Sequence, residues 1–177
     1  FEGIQFLVEN PYWEGAKISL YSAGEESIAS MPNIKVGKFI TQVILQNIEV
    51  EDIDLSNATD LRSAWVQNNP ALQKLDLSYS TIWGQGDKET EGNGTYGSSL
   101  MVLGCPILKE IKLPEKNELK AYRIDIECLD ALETFDMSNV KMVAELSIGD
   151  LNKDFNLVYP ELTIFYSEDG YAGTYFA

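Results

Sequence analysis

The chain has 177 residues, 45% of them apolar, which suits one domain with a real core and argues against disorder. Its formal net charge is -15 and its pI is near 4.2. That field repels nucleic acid and anionic lipid, so neither is an expected partner. Histidine is absent, which removes Ser-His-Asp and Cys-His catalysis and the commonest zinc ligand. No apolar run approaches the ~20 residues of a membrane-spanning helix.

The chain opens on Phe1 and shows no basic start followed by an apolar stretch. The expectation is a processed or trimmed product whose export signal or lipid anchor has been removed. Within residues 1–33, GIQFLV and AKISLY predict short strands, with Pro11 and Gly24 marking turns. This segment is expected to form an N-terminal cap.

A pattern sets in from residue 34. Ile40, Val43 and Leu45 fill an apolar-x-x-apolar-x-apolar template. Val50-Ile53-Leu55, Leu61-Ala64-Val66 and Leu72-Leu75-Leu77 repeat it at 11-residue steps. Residues 79–96 interrupt it. It resumes as Leu108-Ile111-Leu113, Leu119-Tyr122-Ile124, Leu132-Phe135-Met137 and Val143-Leu146-Ile148. The last two apolar positions alternate with polar residues, the two-residue period of a half-buried strand. The segments are too short for helices, and Ser, Asn, Asp and Pro separate them.

Eleven residues are too few for one coil of a leucine-rich solenoid, which takes roughly 20–29, so the units pair. One series is centred on Ile53, Leu75, Ile111, Phe135 and Leu162, with spacings of 22, 36, 24 and 27. The other is centred on Val43, Ala64, Leu100, Tyr122 and Leu146, with spacings of 21, 36, 22 and 24. Both enlarged steps contain the same stretch, and a single insertion of about 14 residues explains both. Residues 166–177, rich in Tyr, Gly and Phe, are expected to cap the last coil.

Asn69-Pro70 precedes ALQKL, Cys105-Pro106 precedes ILKEI, and Cys128 stands four residues before Leu132. With LQKLDLS at 72–78 and CPILKEIKLP at 105–114, the chain resembles the leucine-rich repeats of bacterial, Bacteroidetes-like, cell-surface and secreted proteins. The resemblance covers residues 34–165. It implies a leucine-rich-repeat solenoid of the right-handed β-α superhelix class, here mostly strand and loop with little helix. Short parallel strands would stack coil on coil, capped at both ends, in one structural domain. It also implies that Asn69, Cys105 and Cys128 turn inward at the corner after the strand. Adjacent coils would allow a bridge between the two cysteines, but nothing basic nearby suggests an activated thiolate, and two reduced, buried thiols are favoured.

The resemblance implies that the second series lines the binding surface. Its outward residues include Ser63, Trp65 and Gln67, then Ser99, Met101 and Leu103, then Arg123 and Asp125, then Glu145 and Ser147. Trp65 beside Met101 reads as a contact patch, or as packing beneath the insertion. The insertion adds Trp83 and Tyr96. The candidate ligand-binding residues are thus Trp65, Gln67, Met101, Arg123, Asp125, Trp83 and Tyr96.

Asp54, Asp76 and Asp136 share one repeat position, which suggests either a solvated outer face or a calcium site. No catalytic constellation, resident metal or cofactor motif is expected. The leading expectation is a monomeric, non-catalytic module of an exported or surface-displayed protein, located outside the cell or on its surface. It would bind a protein or a glycan through the strand face and the 79–96 loop, without inserting in a membrane. The alternatives are a structural spacer in a larger surface protein and, remotely, a carboxylate-dependent glycoside hydrolase.

Overall fold

In the computed structural model the chain is a parallel β-solenoid of about five turns, with no helix among the described residues. Those residues are 4–6, 15–22, 28–84, 98–116, 118–159, 163–164 and 174–176. Each coil contributes a long strand to one sheet and a short strand to the facing side. The long sheet is built from β2 (Ala16–Tyr21), β5 (Ile40–Gln46), β8 (Ser63–Gln67), β10 (Ser99–Leu103), β12 (Leu119–Leu129) and β14 (Val140–Leu151). Two short strands beyond β14, β16 (Thr163–Ile164) and β17 (Thr174–Phe176), both pair with it. On the other side β1 (Ile4–Phe6), β4 (Ile34–Val36) and β7 (Ile53–Asp54) form one ladder. There β9 (Lys74–Asp76) pairs with β11 (Glu110–Lys112), and β13 (Thr134–Asp136) with β15 (Asn156–Val158). A minor ladder joins β3 (Ala29–Ser30) to β6 (Ile48–Glu49). The segment expected as an N-terminal cap therefore supplies strands parallel to and in register with the coil that follows it.

The template explains the interior. In the long sheet Ile18, Val43, Ala64, Leu100, Ile124 and Leu146 stand in one register row, and all are buried. Facing them, Ile34 pairs with Ile53, Leu75 with Ile111, and Phe135 with Leu157. Like residues stacked at the strand spacing of ~4.8 Å leave little void, so each coil buries its apolar edge on its neighbours.

One register position differs from the sequence expectation. Tyr122 does not lie in the interior row. It is exposed, and Ile124 pairs with Leu100 and Leu146 instead. The fully buried Leu119 caused the slip, because it pairs with Val140 as an extra interior residue before the template Ala121-Ile124-Ile126. In the short-strand series the partner of Phe135 is Leu157, in β15. Leu162 itself lies outside the described residues.

The five long strands from β5 to β14 each have a corner residue in the left-handed backbone region at their C-terminal end: Asn47, Asn68, Gly104, Cys128 and Asp150, with φ between 49° and 63°. Only Gly adopts this region freely, and Asn and Asp tolerate it best among the others. Asn68 donates from Nδ2 to Asn47 Oδ1 at 2.7 Å, an amide step between coils. Gly104 is demanded twice over, since a Cβ there would lie 2.6 Å from Asn68 Oδ1. The next residue turns inward: Ile48, Asn69, Cys105 and Leu129 are all buried. Asn69 Oδ1 accepts from the N–H groups of Ala71 at 3.0 Å, Leu72 at 3.1 Å and Val50 at 3.4 Å. It satisfies donors that the turn leaves without a strand partner. Cys128 is thus not an inward corner residue. It is exposed at the left-handed position, and Leu129, three residues before Leu132, takes the buried place.

Candidate functional site

The register places the outward side chains of the long sheet in three rows. Lys17, Gln42, Ser63, Ser99, Arg123 and Glu145 form one. Ser19, Ile44, Trp65, Met101, Asp125 and Ser147 form the next, and Tyr21, Gln46, Gln67, Leu103, Glu127 and Gly149 the third. Five of the candidate residues, Trp65, Gln67, Met101, Arg123 and Asp125, therefore share one face. Trp65 and Met101 are direct register partners, and Met101 is the partner of Asp125.

This face is partly withdrawn from water. Trp65 and Met101 are half-buried, Ser99 is buried, and Asp125 is only 4% exposed. Two polar atoms on the middle row are buried without a hydrogen-bond partner: Trp65 Nε1 and Asp125 Oδ1. Asp125 Oδ2 is held by Arg123 at 2.6 Å, and Arg123 also approaches Glu145 at 3.7 Å. Burial pushes the Asp125 carboxyl above the usual aspartate range. The Arg123 guanidinium opposes that push, and the Glu127 charge adds to it. Glu127 accepts the Ser147 hydroxyl at 2.7 Å, and Gln46 Nε2 donates to Gln67 Oε1 at 3.1 Å. An open depression of about 550 Å³ elsewhere is lined by Glu118, Ser138, Asn139 and Lys141, none of which belongs to these rows.

The insertion has a defined neck. Gly84 and Ser98, 14 residues apart, accept from Lys120 and Tyr122, which are two apart in the next coil. The Ser98 hydroxyl closes the neck by accepting the Gly84 N–H at 2.6 Å. Residues 79–84, which the sequence placed in the insertion, thus belong to the coil, and residues 85–97 lie outside the described residues. Trp83 is not on an exposed loop. It is fully buried, its backbone N–H bonds Ser80 Oγ at 2.9 Å, and its indole N–H points to Ser99 O at 3.5 Å. Tyr96 lies outside the described residues.

Asp54, Asp76 and Asp136 serve turns on the opposite side. Each accepts the N–H of the Ser two residues on, Ser56 at 2.9 Å, Ser78 at 3.0 Å and Ser138 at 2.8 Å. This is why the strings read DLS, DLS and DMS: the Leu or Met points inward while the Asp closes the turn. The register pairs Asp54 with Lys35, Asp76 with Lys112 and Asp136 with Val158, so no like-charge stack forms, and Lys35 and Lys74 lie 3.5 Å from Asp54 and 3.0 Å from Asp76. No group of three metal-binding side chains occurs among the described residues, so the three aspartates are not gathered into a cation site. The bonds from Ser56 and Ser138 hold Asp54 and Asp136 below the usual aspartate range. Burial raises Asp76, but the bonds from Ser78 and Lys74 outweigh it and leave its pKa lowered.

Both cysteines are free thiols. Burial pushes Cys105 up to about 11, against one backbone hydrogen bond from Asn69. The exposed Cys128 is raised mainly by desolvation, with Asp150, Glu127 and Asp130 adding negative charge. Neither environment activates a thiolate.

Alongside the outward residues read from sequence, the structure adds Gln42, Ile44 and Gln46 of β5 and Glu127 of β12. The β5 residues carry the same alternation as β8 and were legible in the Ile40-Val43-Leu45 template. Compared with protein-family models, with curated proteins and with solved structures, the chain shows no match.

Proposed function

We propose that the chain is a non-catalytic recognition module of an exported or surface-displayed protein, its coils being leucine-rich repeats that bind through the outward face of the long sheet. The observation that carries this reading is the middle row. Ile44, Trp65 and Met101 lie side by side in register on three strands, and a rigid parallel sheet holds them. Aromatic and thioether side chains fixed on a sheet lose little conformational freedom when a ligand covers them. The solenoid supplies the extended surface that such recognition uses. The acidic charge keeps the module soluble and selects against polyanions.

The test is capture by the intact chain against a displayed random-peptide library and an immobilised glycan panel. Trp65→Ala is expected to weaken capture while leaving thermal stability nearly unchanged. A large stability loss with unchanged capture makes Trp65 a packing residue and removes the proposal.

A further inference from the structure

The outward face is divided by charge. On β5, β8 and β10 its nine positions are Gln42, Ile44, Gln46, Ser63, Trp65, Gln67, Ser99, Met101 and Leu103, and none is ionisable. At the chain's average of 23% charged residues, about two charges would be expected there. On β12 the face turns ionic, with Arg123, Asp125 and Glu127 in the same three rows. In so acidic a protein, three adjacent strands of amides, hydroxyls, an indole and a thioether form a neutral platform. A charged ligand would gain no attraction from it.

The middle row has a second feature. Trp65 Nε1 is a donor without an acceptor, and Asp125 Oδ1 is an acceptor without a donor. Their residues flank Met101 in one register row, with backbones two strand spacings or ~10 Å apart. Asp125 is more than nine-tenths buried and turned to this face. Unpaired buried polar atoms are costly, and a group that satisfies both a donor and an acceptor gains from them. A hydroxyl does both. Beside them, the Gln67 amide accepts from Gln46, while the Gln42 amide and the Ser63 hydroxyl add further uncharged donors and acceptors.

We infer that this platform, with Asp125 of β12 at its border, binds an uncharged carbohydrate, with a sugar ring laid on Trp65 and Met101 and its hydroxyls bonded to Trp65 Nε1 and Asp125 Oδ1. The C–H face of a pyranose is apolar and lies flat on an indole, while its rim of hydroxyls matches neutral amides. A peptide strand would bind more naturally at a sheet edge, where the backbone ladder is open. The inference rests on the recognition role proposed above and narrows it to one ligand class.

Affinity electrophoresis of the full chain tests it, in gels holding β-glucan, mannan, xylan or dextran, with polygalacturonate and heparin as anionic probes. Retardation by at least one neutral polysaccharide is expected, unchanged at about 0.5 M NaCl, where exposed charges are screened. Trp65→Ala and Asp125→Ala should each weaken it about tenfold or more. Trp65→Phe, which keeps a ring and loses the N–H, should fall between. Lys74→Gln on the opposite side should leave it unchanged. Circular dichroism and thermal melts confirm that each variant folds.

Retardation by anionic polymers alone, or retardation that salt abolishes, overturns the inference. So does neutral binding that both alanine variants keep. If no polysaccharide binds but library peptides bind in a Trp65-dependent way, the carbohydrate inference falls and the recognition role stands. If neither class binds, both fall.

Discussion

Asn69 holds a turn together from inside the core, and its removal has a size that the structure sets. The side chain is fully buried, and Oδ1 is the acceptor for three backbone donors. In Asn69→Ala those N–H groups lose their acceptor, and the donors of Val50 and Leu72 are buried. Each buried donor left without a partner costs roughly 1–3 kcal/mol. The bonds to Ala71 and Leu72 are well formed, and the 3.4 Å contact to Val50 counts for less. Asn69 Nδ2 has no partner, so its removal returns part of the cost. The expected loss is about 3–5 kcal/mol, a large share of a typical 5–15. For a chain of this size that lowers Tm by about 8–15 °C. Urea titration with tryptophan fluorescence measures it, with the midpoint falling and the slope unchanged. A loss below about 1 kcal/mol would mean that the corner is wet or that the turn re-forms without the amide, and the buried-corner reasoning would be wrong.

Gly104→Ala should destabilise by about 1–3 kcal/mol, because a Cβ meets Asn68 Oδ1 and the backbone stays left-handed. Asn68→Ala removes the clash but puts a second alanine in the left-handed region and loses the bond to Asn47, so in a double-mutant cycle by chemical denaturation the two substitutions together should cost less than their sum. Native labelling with a thiol reagent near pH 8 should modify Cys128 and spare Cys105, and unfolding should release the second thiol. Asp54, Asp76 and Asp136 have lowered pKa values, so they stabilise the fold above the unfolded aspartate value near 3.8. That contribution is lost as pH falls below it, and acid titration of Asp76→Asn should show a shallower fall between about pH 4 and 2 than wild type. Asp125 has the opposite sign. Its raised pKa makes the carboxylate a liability once pH rises through it, so Asp125→Asn should melt higher at pH 7, with the gain fading in acid.

The coil was legible in the sequence where spacing alone decides burial. Val50-Ile53-Leu55 and Leu72-Leu75-Leu77 are all buried, as their template requires. It slipped where an apolar residue enters off the template. Leu119 is as apolar as a template residue, and only its position against Gly84 and Val140 reveals it as an addition. Cys128 misled for a similar reason. A corner position is defined by backbone geometry, and Asn68, Gly104 and Cys128 share a left-handed φ that unlike side chains conceal. Trp83 read as a loop aromatic because a glycine-rich stretch follows it, whereas the coil continues through Gly84. The outward rows were legible as single strands, since alternation fixes which residues point out. Their charge division appears only when register aligns β5, β8, β10 and β12.

Register is therefore the claim on which both the fold and the candidate face depend, and disulfide trapping reads it directly. In a chain freed of Cys105 and Cys128, Gln46→Cys with Gln67→Cys should cross-link readily, since these are adjacent partners. Gln67→Cys with Leu103→Cys should do the same. Gln46→Cys with Leu103→Cys, ~10 Å apart across two spacings, should not, because a disulfide needs Cα atoms within about 7 Å. Efficient cross-linking of the third pair with failure of the first two would place these strands in another order and contradict the account.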